Sequence, residues 1–365
     1  MSGVRAVAQS LARRARSGAA APAGSRLPAA AGLVVLAAAL AFPLVEGGNL
    51  SLMGLATEAL TYGLATLSLN LLMGYGGQVS VGHGGFLAVG AYTTAILMTH
   101  YGSLPFIVVL LAAGLVTGVL GFLLGLPAGR LRSHYLAVAT LGFGFAVPQI
   151  ALNLNITGGY TGLTIAPVQL GSVTLNNPVP VYYLALAVLV VSAAAIRSIL
   201  SSPTGRRFMA VRDGEDTAPA MGINTRRTKV LLFTLSAFFC GLAGYVFALY
   251  NGIVEPASFD FSLSLLFFAA VVVGGMASIW GSLVGAALLV VVQQQSAAVQ
   301  GYSEAIVGLA VILVLLLLPG GLAALPRQLY DLATRGRRRA ALAAAPAAPK
   351  LPPAPSPSAG APREG

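Results

Sequence analysis

The sequence contains few charged residues and a single cysteine. Only 8% of its 365 residues are charged, whereas globular domains contain about 25%. The lone Cys240 cannot form a disulfide within the chain, so cysteine does not report the redox compartment. Hydrophobic residues make up 57% of the chain and the mean hydropathy is +0.84. These values point away from a soluble domain and predict an all-α protein that crosses a membrane several times.

The sequence also lacks the motifs of nucleotide-binding proteins and hydrolases. Neither Lys229 nor Lys350 follows a glycine-rich turn, so no phosphate-binding G-x-x-x-x-G-K-[ST] loop is present. The histidines His83, His100 and His134 are scattered and predict no metal site. We therefore expect no enzymatic activity and no cofactor on this chain. Uphill transport would take its energy from another subunit or from an ion gradient.

Ten apolar stretches are long enough to be spanning helices, because about 20 residues cross ~30 Å of hydrocarbon. They are predicted at 29–46, 50–73, 85–101, 104–126, 135–154, 180–200, 229–251, 263–280, 282–298 and 302–319. If the N-terminus is cytoplasmic, alternation places all 21 Lys and Arg residues on the inner side. We therefore predict ten spans with both termini in the cytoplasm. The net charge of +11 is then a topology signal and not evidence for nucleic-acid binding.

Both ends of the chain differ in composition from the transmembrane domain, predicted at 29–320. Residues 1–28 contain five arginines and no acid, which is typical of a disordered basic tail or of an organelle transit peptide. Residues 321–365 are basic and then rich in Pro and Ala, which predicts a second disordered cytoplasmic tail. The longest inner loop of the domain is predicted at 201–229.

A glycine-rich stretch, GYGGQVSVGHGGF at Gly74–Phe86, separates the second and third predicted spans. It is either an inner turn, in which glycines permit a tight reversal, or an interrupted helix that re-enters the bundle. In the second case, polar side chains would satisfy freed backbone groups or line a pathway. The candidate residues are Gly76, Gly77, Gln78, Ser80, His83 and Gly84.

A second stretch, GGMASIWGSLVGAA at Gly274–Ala287, repeats part of this pattern. In both stretches a serine, Ser80 or Ser278, stands three residues after the second glycine, at an offset of 198. Duplicated halves place interrupted helices around a shared pathway. The pattern predicts a two-half internal repeat and adds Gly274, Gly275 and Ser278 to the candidate pathway residues.

Glu58 is the ionisable residue that lies clearly within a predicted span. Such residues are costly at membrane depth and often functional. Glu58 is either a substrate or proton contact, or a protonated or pathway-facing carboxyl near the outer interface. The sequence leaves both interpretations open.

Glycines also stand four residues apart in the fourth predicted span. The sequence GLVTGVLGFLLG places Gly114 with Gly118, and Gly121 with Gly125, on one helix face. This spacing lets a neighbouring backbone approach closely. It predicts packing and not chemistry.

The inner loop contains RDGEDTAPAMGIN, which predicts a short helix. Asp213 or Asp216 can cap its start, Pro219 fits a first turn, and Gly222 suits its end. The loop is either a docking element for a partner or an ordinary solvated connection. Spacing alone does not separate these two interpretations.

Several separated segments resemble the branched-chain amino acid ABC transporter permeases of the LivM type. They are LSLNLLMGYGGQVSVGHGGFLAVGAYTTAIL at 67–97, HYLAVATLGFG at 134–144, TGGYTGL at 157–163 and the stretch from GRRFMAVRDGEDTAPAMGIN to GGMASIWGSLVGAAL at 205–288. The resemblance covers about residues 30–320. It implies one of two permease subunits in a bacterial plasma membrane, working with two cytoplasmic ATPase subunits and an extracytoplasmic substrate-binding protein.

The resemblance also implies a cargo and an energy source. ATP and Mg would be bound by the ATPase subunits, and the cargo would be branched-chain or other small amino acids. Related permeases carry urea, short amides or aromatic acids, which is the first alternative. An ion-coupled secondary transporter or a channel is the alternative of another class.

The inner loop is similar to the coupling segment of this family, which docks into a cleft on the ATPase. The resemblance favours the docking interpretation and assigns it to Arg212, Asp213, Glu215, Asp216, Ala218, Ala220 and Gly222. Two regions depart from the family. Pro219 stands where a helix-favouring residue is commoner, and Phe145 and Pro148 replace a Glu and a basic residue that often follow LGFG.

Overall fold

The computed structural model describes residues 27–296, apart from 103, 130–132, 166–168, 171–172 and 175–177. It also describes positions 308, 309, 312, 316 and 321–324. The predicted span at 302–319 and the predicted tails at 1–28 and 321–365 lie outside the described residues, apart from those few positions and the start of the first helix.

The described residues form ten α-helices, which we number in chain order. They are α1 (Leu27–Glu46), α2 (Leu50–Asn70), α3 (His83–His100), α4 (Phe106–Ala128), α5 (Ser133–Asn153), α6 (Pro178–Ser201), α7 (Pro203–Asp213), α8 (Thr225–Asn251), α9 (Phe261–Gly274) and α10 (Ile279–Ser296). Seven helical segments of the described chain are long and apolar enough to cross a membrane; they include α2, α4, α5, α6, α8, α9 and α10. A helical, multi-pass membrane protein is therefore confirmed. The count of ten spans, the cytoplasmic termini and the two-half repeat stay predictions.

Four two-residue strands, which the sequence did not predict, join the connections at one end of the bundle. β1 (Leu163–Thr164) pairs antiparallel with β4 (Ile253–Val254), and β2 (Gln169–Leu170) pairs with β3 (Val173–Thr174). Gly162 precedes β1 with φ of 69°, and a Cβ there would lie 2.3 Å from the carbonyl oxygen of Val254. Only glycine fits both the left-handed backbone and this close approach.

Helix α8 lies at the centre of the bundle, and most of its residues are buried. A Cβ at Gly121 of α4 would lie 2.3 Å from the Cβ of Ala237 on α8. A Cβ at Gly90 of α3 would lie 2.5 Å from the carbonyl oxygen of Gly241. The glycine spacing in α4 therefore does mark close packing, with α8 as the partner.

The predicted spans at 263–280 and 282–298 are wrong at their junction. α9 ends at Gly274 and α10 begins at Ile279. Between them Gly275 has φ of 111° and Ala277 has φ of 59°, and neither value is compatible with a continuing helix. Hydropathy does not detect this break, because the stretch contains no charged residue.

Candidate functional site

The first helix break follows α2 and has an unusual course. α2 continues as a π-helical turn, Leu71–Tyr75, and α3 does not begin until His83. We call the non-helical residues Gly76–Gly82 the glycine segment. Its even-numbered residues are buried and its odd-numbered residues are half-buried.

The glycine segment runs back into the bundle before α3 starts. His83 Nε2 lies 2.9 Å from Ser236 Oγ, and Ser236 donates to the carbonyl oxygen of Ser68 at 2.6 Å. Ser68 precedes Tyr75 by two helical turns, so the segment returns by ~10 Å at 1.5 Å per residue. The stretch is therefore a buried, non-helical return between α2 and α3. Whether it serves as a turn or as a pathway element stays a prediction.

Side chains from other helices satisfy the backbone of this return. Val81 N donates to Thr140 Oγ1 of α5 at 3.1 Å, and Gly84 N donates to Ser264 Oγ of α9 at 3.0 Å. Gln78 Nε2 lies 3.4 Å from the carbonyl oxygen of Gly76, a long contact within the segment. Buried amides need such partners, because an unpaired one costs as much as a lost hydrogen bond. Gln78 Oε1 is buried and has no partner among the described residues.

His83 is the centre of a directional chain of hydrogen bonds. Because Ser236 gives its one proton to the Ser68 carbonyl, its oxygen accepts from His83 Nε2–H. Nδ1 of the neutral ring then accepts from Ser80 Oγ at 3.1 Å. Cys240 Sγ also lies 3.4 Å from the His83 carbonyl oxygen. Both ring nitrogens are occupied, so His83 ties the start of α3 to α2 and α8.

The second break, Gly275–Ser278, is shorter and is held by one side chain, Asn70. Asn70 Oδ1 accepts from Ala277 N at 2.9 Å. Asn70 Nδ2 donates to the Ser278 carbonyl oxygen at 2.9 Å and to Ser282 Oγ at 2.6 Å. Ser278 Oγ accepts from Gly281 N at 3.0 Å and so caps α10. We call this element the short break.

The two breaks lie next to each other. A Cβ at Gly74 would lie 2.4 Å from Ala277 N. Gly321, at the far end of the described chain, approaches the same place, because a Cβ there would lie 2.6 Å from the Cα of Gly275. The structure therefore brings the start of the first glycine-rich stretch, at Gly74, against the short break at one end of the bundle, which we call the α7 end.

The inner loop differs from its prediction. Ser202 caps α7 and Pro203 occupies its first turn, and the helix continues through Asp213 because Phe208 and Val211 are buried against the bundle. The predicted start of the helix in RDGEDTAPAMGIN is therefore wrong, since Asp213 ends a helix and does not cap one. Asp216 caps nothing either, because the next element is a short 3₁₀ turn without a side-chain cap.

That 3₁₀ turn, Ala218–Met221, forms the tip of the loop. Pro219 lies in its first turn, and Gly222 ends it with φ of 76°, as the sequence predicted. Ala218 is buried, whereas Pro219, Ala220 and Gly222 are exposed. Met221 is 81% exposed. The tip therefore presents a small apolar surface beyond the helices.

Charged residues attach the loop to the bundle. Arg212 Nη1 donates to the carbonyl oxygen of Gly74 at 3.1 Å, and Arg212 Nη2 pairs with Asp213 at 2.9 Å. A Cβ at Gly77 would lie 2.8 Å from Arg212 Cγ. Glu215 pairs with Lys229, whose side chain is only 1% exposed. These charges therefore make contacts within the chain, and Arg212 joins α7 directly to the first break.

Glu58 lies apart from this assembly. It stands on α2 about 12 Å from Leu50, toward the opposite end of the bundle. It is half-buried and its side chain hydrogen-bonds with Tyr62. Asn70 is a further ~18 Å along the same helix, so Glu58 does not join the two breaks.

Sequence reasoning missed the residues that hold the breaks together. They are Asn70, Thr140, Ser236 and Ser264. Asn70 carried a usable signal, because an amide inside an apolar span needs a partner on another helix. The serines and threonines carried none, since these residues commonly bond to their own helix.

Comparisons with known proteins agree with the resemblance. Residues 51–318 match the family described as "Branched-chain amino acid transport system / permease component". The chain is 37% identical over 320 residues to the high-affinity branched-chain amino acid transport system permease protein LivM of Escherichia coli, which covers 81% of this chain and 74% of that protein. Identity to a probable LivM permease of Methanocaldococcus jannaschii is 27% over 259 residues, or 61% of this chain and 75% of that protein.

A more distant relative is the LivH permease protein of the same transport system in Escherichia coli. It is 30% identical over 127 residues, which cover 34% of this chain and 41% of that protein. No solved structure matches the chain. The match to the family covers most of the chain, including both helix breaks and the inner loop. The chain therefore belongs to the family of branched-chain amino acid transport system permease components.

Proposed function

We propose that this chain is one of two permease subunits of an ATP-driven importer in a bacterial inner membrane. Its cargo is branched-chain or other small amino acids. The family match over residues 51–318 carries this proposal, and relatives named LivM and LivH support a second permease as partner. An extracytoplasmic binding protein delivers the solute, and two cytoplasmic ATPase subunits bind ATP and Mg.

The loop tip is the docking element for an ATPase subunit. Its exposed residues, Pro219, Ala220 and Met221, project where neither α7 nor α8 covers them. Exposed apolar side chains rimmed by charge are typical of a protein interface. Glu215 and Lys229 hold the base of the loop rigid, so that force on the tip is passed to α7.

Arg212 passes that force to the glycine segment. Its guanidinium bonds to Gly74 just before the segment, and its stem packs on Gly77. A displacement of α7 therefore moves the end of α2 and the start of the return together. Asn70 links the same end of α2 to the short break, so both breaks receive the movement.

The glycine segment forms the inner part of the pathway in this proposal. Uncharged groups such as Gln78 and Ser80 suit a zwitterionic solute with a small apolar side chain. Cysteines placed at Gln78 and Ser80 should react with thiol reagents and be protected by the transported solute. If these cysteines react only with reagents added on the cytoplasmic side, and the solute does not protect them, the segment is a simple connection and not part of the pathway.

Reconstitution tests the function itself. Proteoliposomes would contain this chain, a partner permease, an ATPase pair and a binding protein, and uptake of leucine, isoleucine and valine would be measured. Uptake is expected only with hydrolysable ATP and with all subunits present. If the chain takes up solute without ATPases, driven by a proton or sodium gradient, the protein is a secondary transporter and not an ATP-driven importer.

A further inference from the structure

A cavity outside the two breaks lies between α4 and α8 at the α7 end. Its volume is about 570 Å³. Its lining residues are Phe122, Leu126, Asn224, Arg226, Arg227, Val230, Leu231 and Thr234. None of these residues belongs to the proposed transport route, so the cavity is a separate candidate binding site.

The cavity is polar at one end and apolar along its length. Arg226 and Arg227 stand in the first turn of α8, and Thr234 lies ~12 Å further along the helix at 1.5 Å per residue. Phe122 and Leu126, one turn apart on α4, form the opposite wall. Thr234 adds no free donor, because its hydroxyl is bonded to the Val230 carbonyl oxygen at 2.9 Å.

The cavity opens on the outer surface of the bundle. Phe122 is 45% exposed and Leu231 is 43% exposed, although both are apolar. In a membrane protein such side chains face lipid or another subunit. The cavity is therefore a groove on the outer surface of the bundle, which an acyl chain can enter from the side. We call it the groove.

The two arginines are available to an anion. The ion pairs found among the described residues are Arg212 with Asp213 and Lys229 with Glu215, and neither includes Arg226 or Arg227. The stem of Arg226 packs on the end of α4, since a Cβ at Gly129 would lie 2.7 Å from its Cγ. Packing thus fixes the stem of Arg226, and neither ion pair of the described residues engages its guanidinium.

A smaller cavity of about 80 Å³ shares Arg227 and Leu231 with the first. Arg207, Phe208, Thr204 and Thr228 complete its lining. Arg227 therefore lines both cavities, and a third arginine, Arg207, lines the smaller one. This concentrates positive charge at one depth, which is the depth of the inner headgroups if the α7 end faces the cytoplasm.

We propose that this groove binds one anionic phospholipid of the inner leaflet. The phosphate would sit at Arg226 and Arg227, and an acyl chain would lie along Phe122, Leu126 and Leu231. Charge complementarity supports an anionic lipid, because basic pockets between spans on the cytoplasmic side bind anionic headgroups. A free phosphate would leave the apolar length of the groove unused. The inference rests on the orientation assumed in the proposed function.

The test uses the purified full-length chain, stripped of lipid in detergent and titrated with dioleoyl phosphatidylglycerol or dioleoyl phosphatidylcholine. Native mass spectrometry counts the lipid that stays bound. The parent chain should retain phosphatidylglycerol about tenfold better than phosphatidylcholine. The double variant Arg226→Gln, Arg227→Gln should lose that preference. Arg206→Gln, an exposed arginine of α7 that lines neither cavity, should keep it.

A second variant tests the apolar half of the groove without changing charge. Thr234→Trp should fill the groove and lower retention of phosphatidylglycerol severalfold. Each variant is first checked for a single peak in size-exclusion chromatography. If the double variant does not give one, the single substitutions Arg226→Gln and Arg227→Gln are used instead, and each should lose part of the preference for phosphatidylglycerol.

Three results would overturn the inference. They are equal retention of both lipids by the parent, an equal loss in Arg206→Gln, or competition by inorganic phosphate with no effect of Thr234→Trp. If the double variant instead retains phosphatidylglycerol and binds an added ATPase subunit more weakly than the parent in a separate pull-down, the groove docks a protein. Because lipid is counted on the chain alone, this result and failure of ATP-driven uptake are separate outcomes.

Discussion

The glycine segment and the short break have similar sequences and different structures. Each stretch starts with a glycine pair and carries a serine three residues after the second glycine. The glycine segment takes seven residues, Gly76–Gly82, to reach the next helix. The short break takes four, Gly275–Ser278. The difference comes from the partners that each stretch meets in the fold.

The two serines illustrate this difference. Ser278 stands directly before α10 and caps it through Gly281 N. Ser80 stands three residues before His83 and bonds to that ring, so it caps nothing. The short break is therefore fixed by a local cap and by Asn70, whereas the glycine segment depends on contacts from α5, α7 and α8. An element held from several helices responds when one of them moves, so we expect α7 to displace the glycine segment first and the short break to follow through Asn70.

Loss of the Asn70 side chain should have the largest effect. Asn70→Ala leaves Ala277 N–H without its partner, which costs about 1–3 kcal/mol, and removes the bonds from Asn70 Nδ2 to Ser278 and Ser282, which contribute about 1 kcal/mol each. We expect about 3 kcal/mol of destabilisation, measured as a lower melting temperature in detergent by size-exclusion chromatography. Ser282→Ala is the matched control, since it removes one of the three bonds of Asn70. Equal melting of the two variants would contradict the anchoring role.

A methyl group in the glycine segment should have the next largest effect. A Cβ at Gly82 would lie 1.9 Å from the carbonyl oxygen of Thr140, so Gly82→Ala forces the segment and α5 apart. Overpacking of this kind costs about 1–3 kcal/mol. The control is Gly142→Ala on the same helix as Thr140, where nothing lies within 4 Å of the new Cβ. It should be neutral or slightly stabilising, and a melting temperature as low as that of Gly82→Ala would remove the steric argument.

The serine cap should have the smallest effect. Ser278→Ala removes the oxygen that accepts from Gly281 N, which costs about 1 kcal/mol at a helix start. Ser278→Thr keeps the oxygen and should recover most of the lost melting temperature. Without such recovery, the side chain would act through something other than the cap.

Sequence patterns predicted the parts of the fold that depend on local composition. The helical membrane class followed from hydropathy, the α4 face from glycine spacing, and the end of the loop turn from Gly222. The junction between α9 and α10 was not predictable in this way, because Ala277 adopts its backbone through an amide of Asn70 that lies 207 residues away. The same limit applies to Lys229, which looked like an ordinary basic residue of the inner loop and is buried against Glu215.

Sequence reasoning about the loop failed for a related reason. Aspartate is a common N-cap residue, so capping preferences predicted that Asp213 begins a helix. Burial of Phe208 and Val211 decides instead where α7 runs, and burial depends on the whole bundle. The resemblance implied a coupling segment in this loop without giving the contact of Arg212 to Gly74.

We propose that Arg212 couples ATP hydrolysis to movement of the glycine segment. The most direct measurement is the number of solute molecules imported per ATP hydrolysed in reconstituted proteoliposomes, for Arg212→Gln and for Asp213→Asn. Asp213→Asn removes the exposed ion pair but leaves the bond from Arg212 to Gly74, and exposed pairs contribute little. We expect Arg212→Gln to lower this ratio about tenfold, as the loss of a charged hydrogen bond would, while hydrolysis continues and Asp213→Asn matches the parent. An unchanged ratio in Arg212→Gln would contradict the proposal.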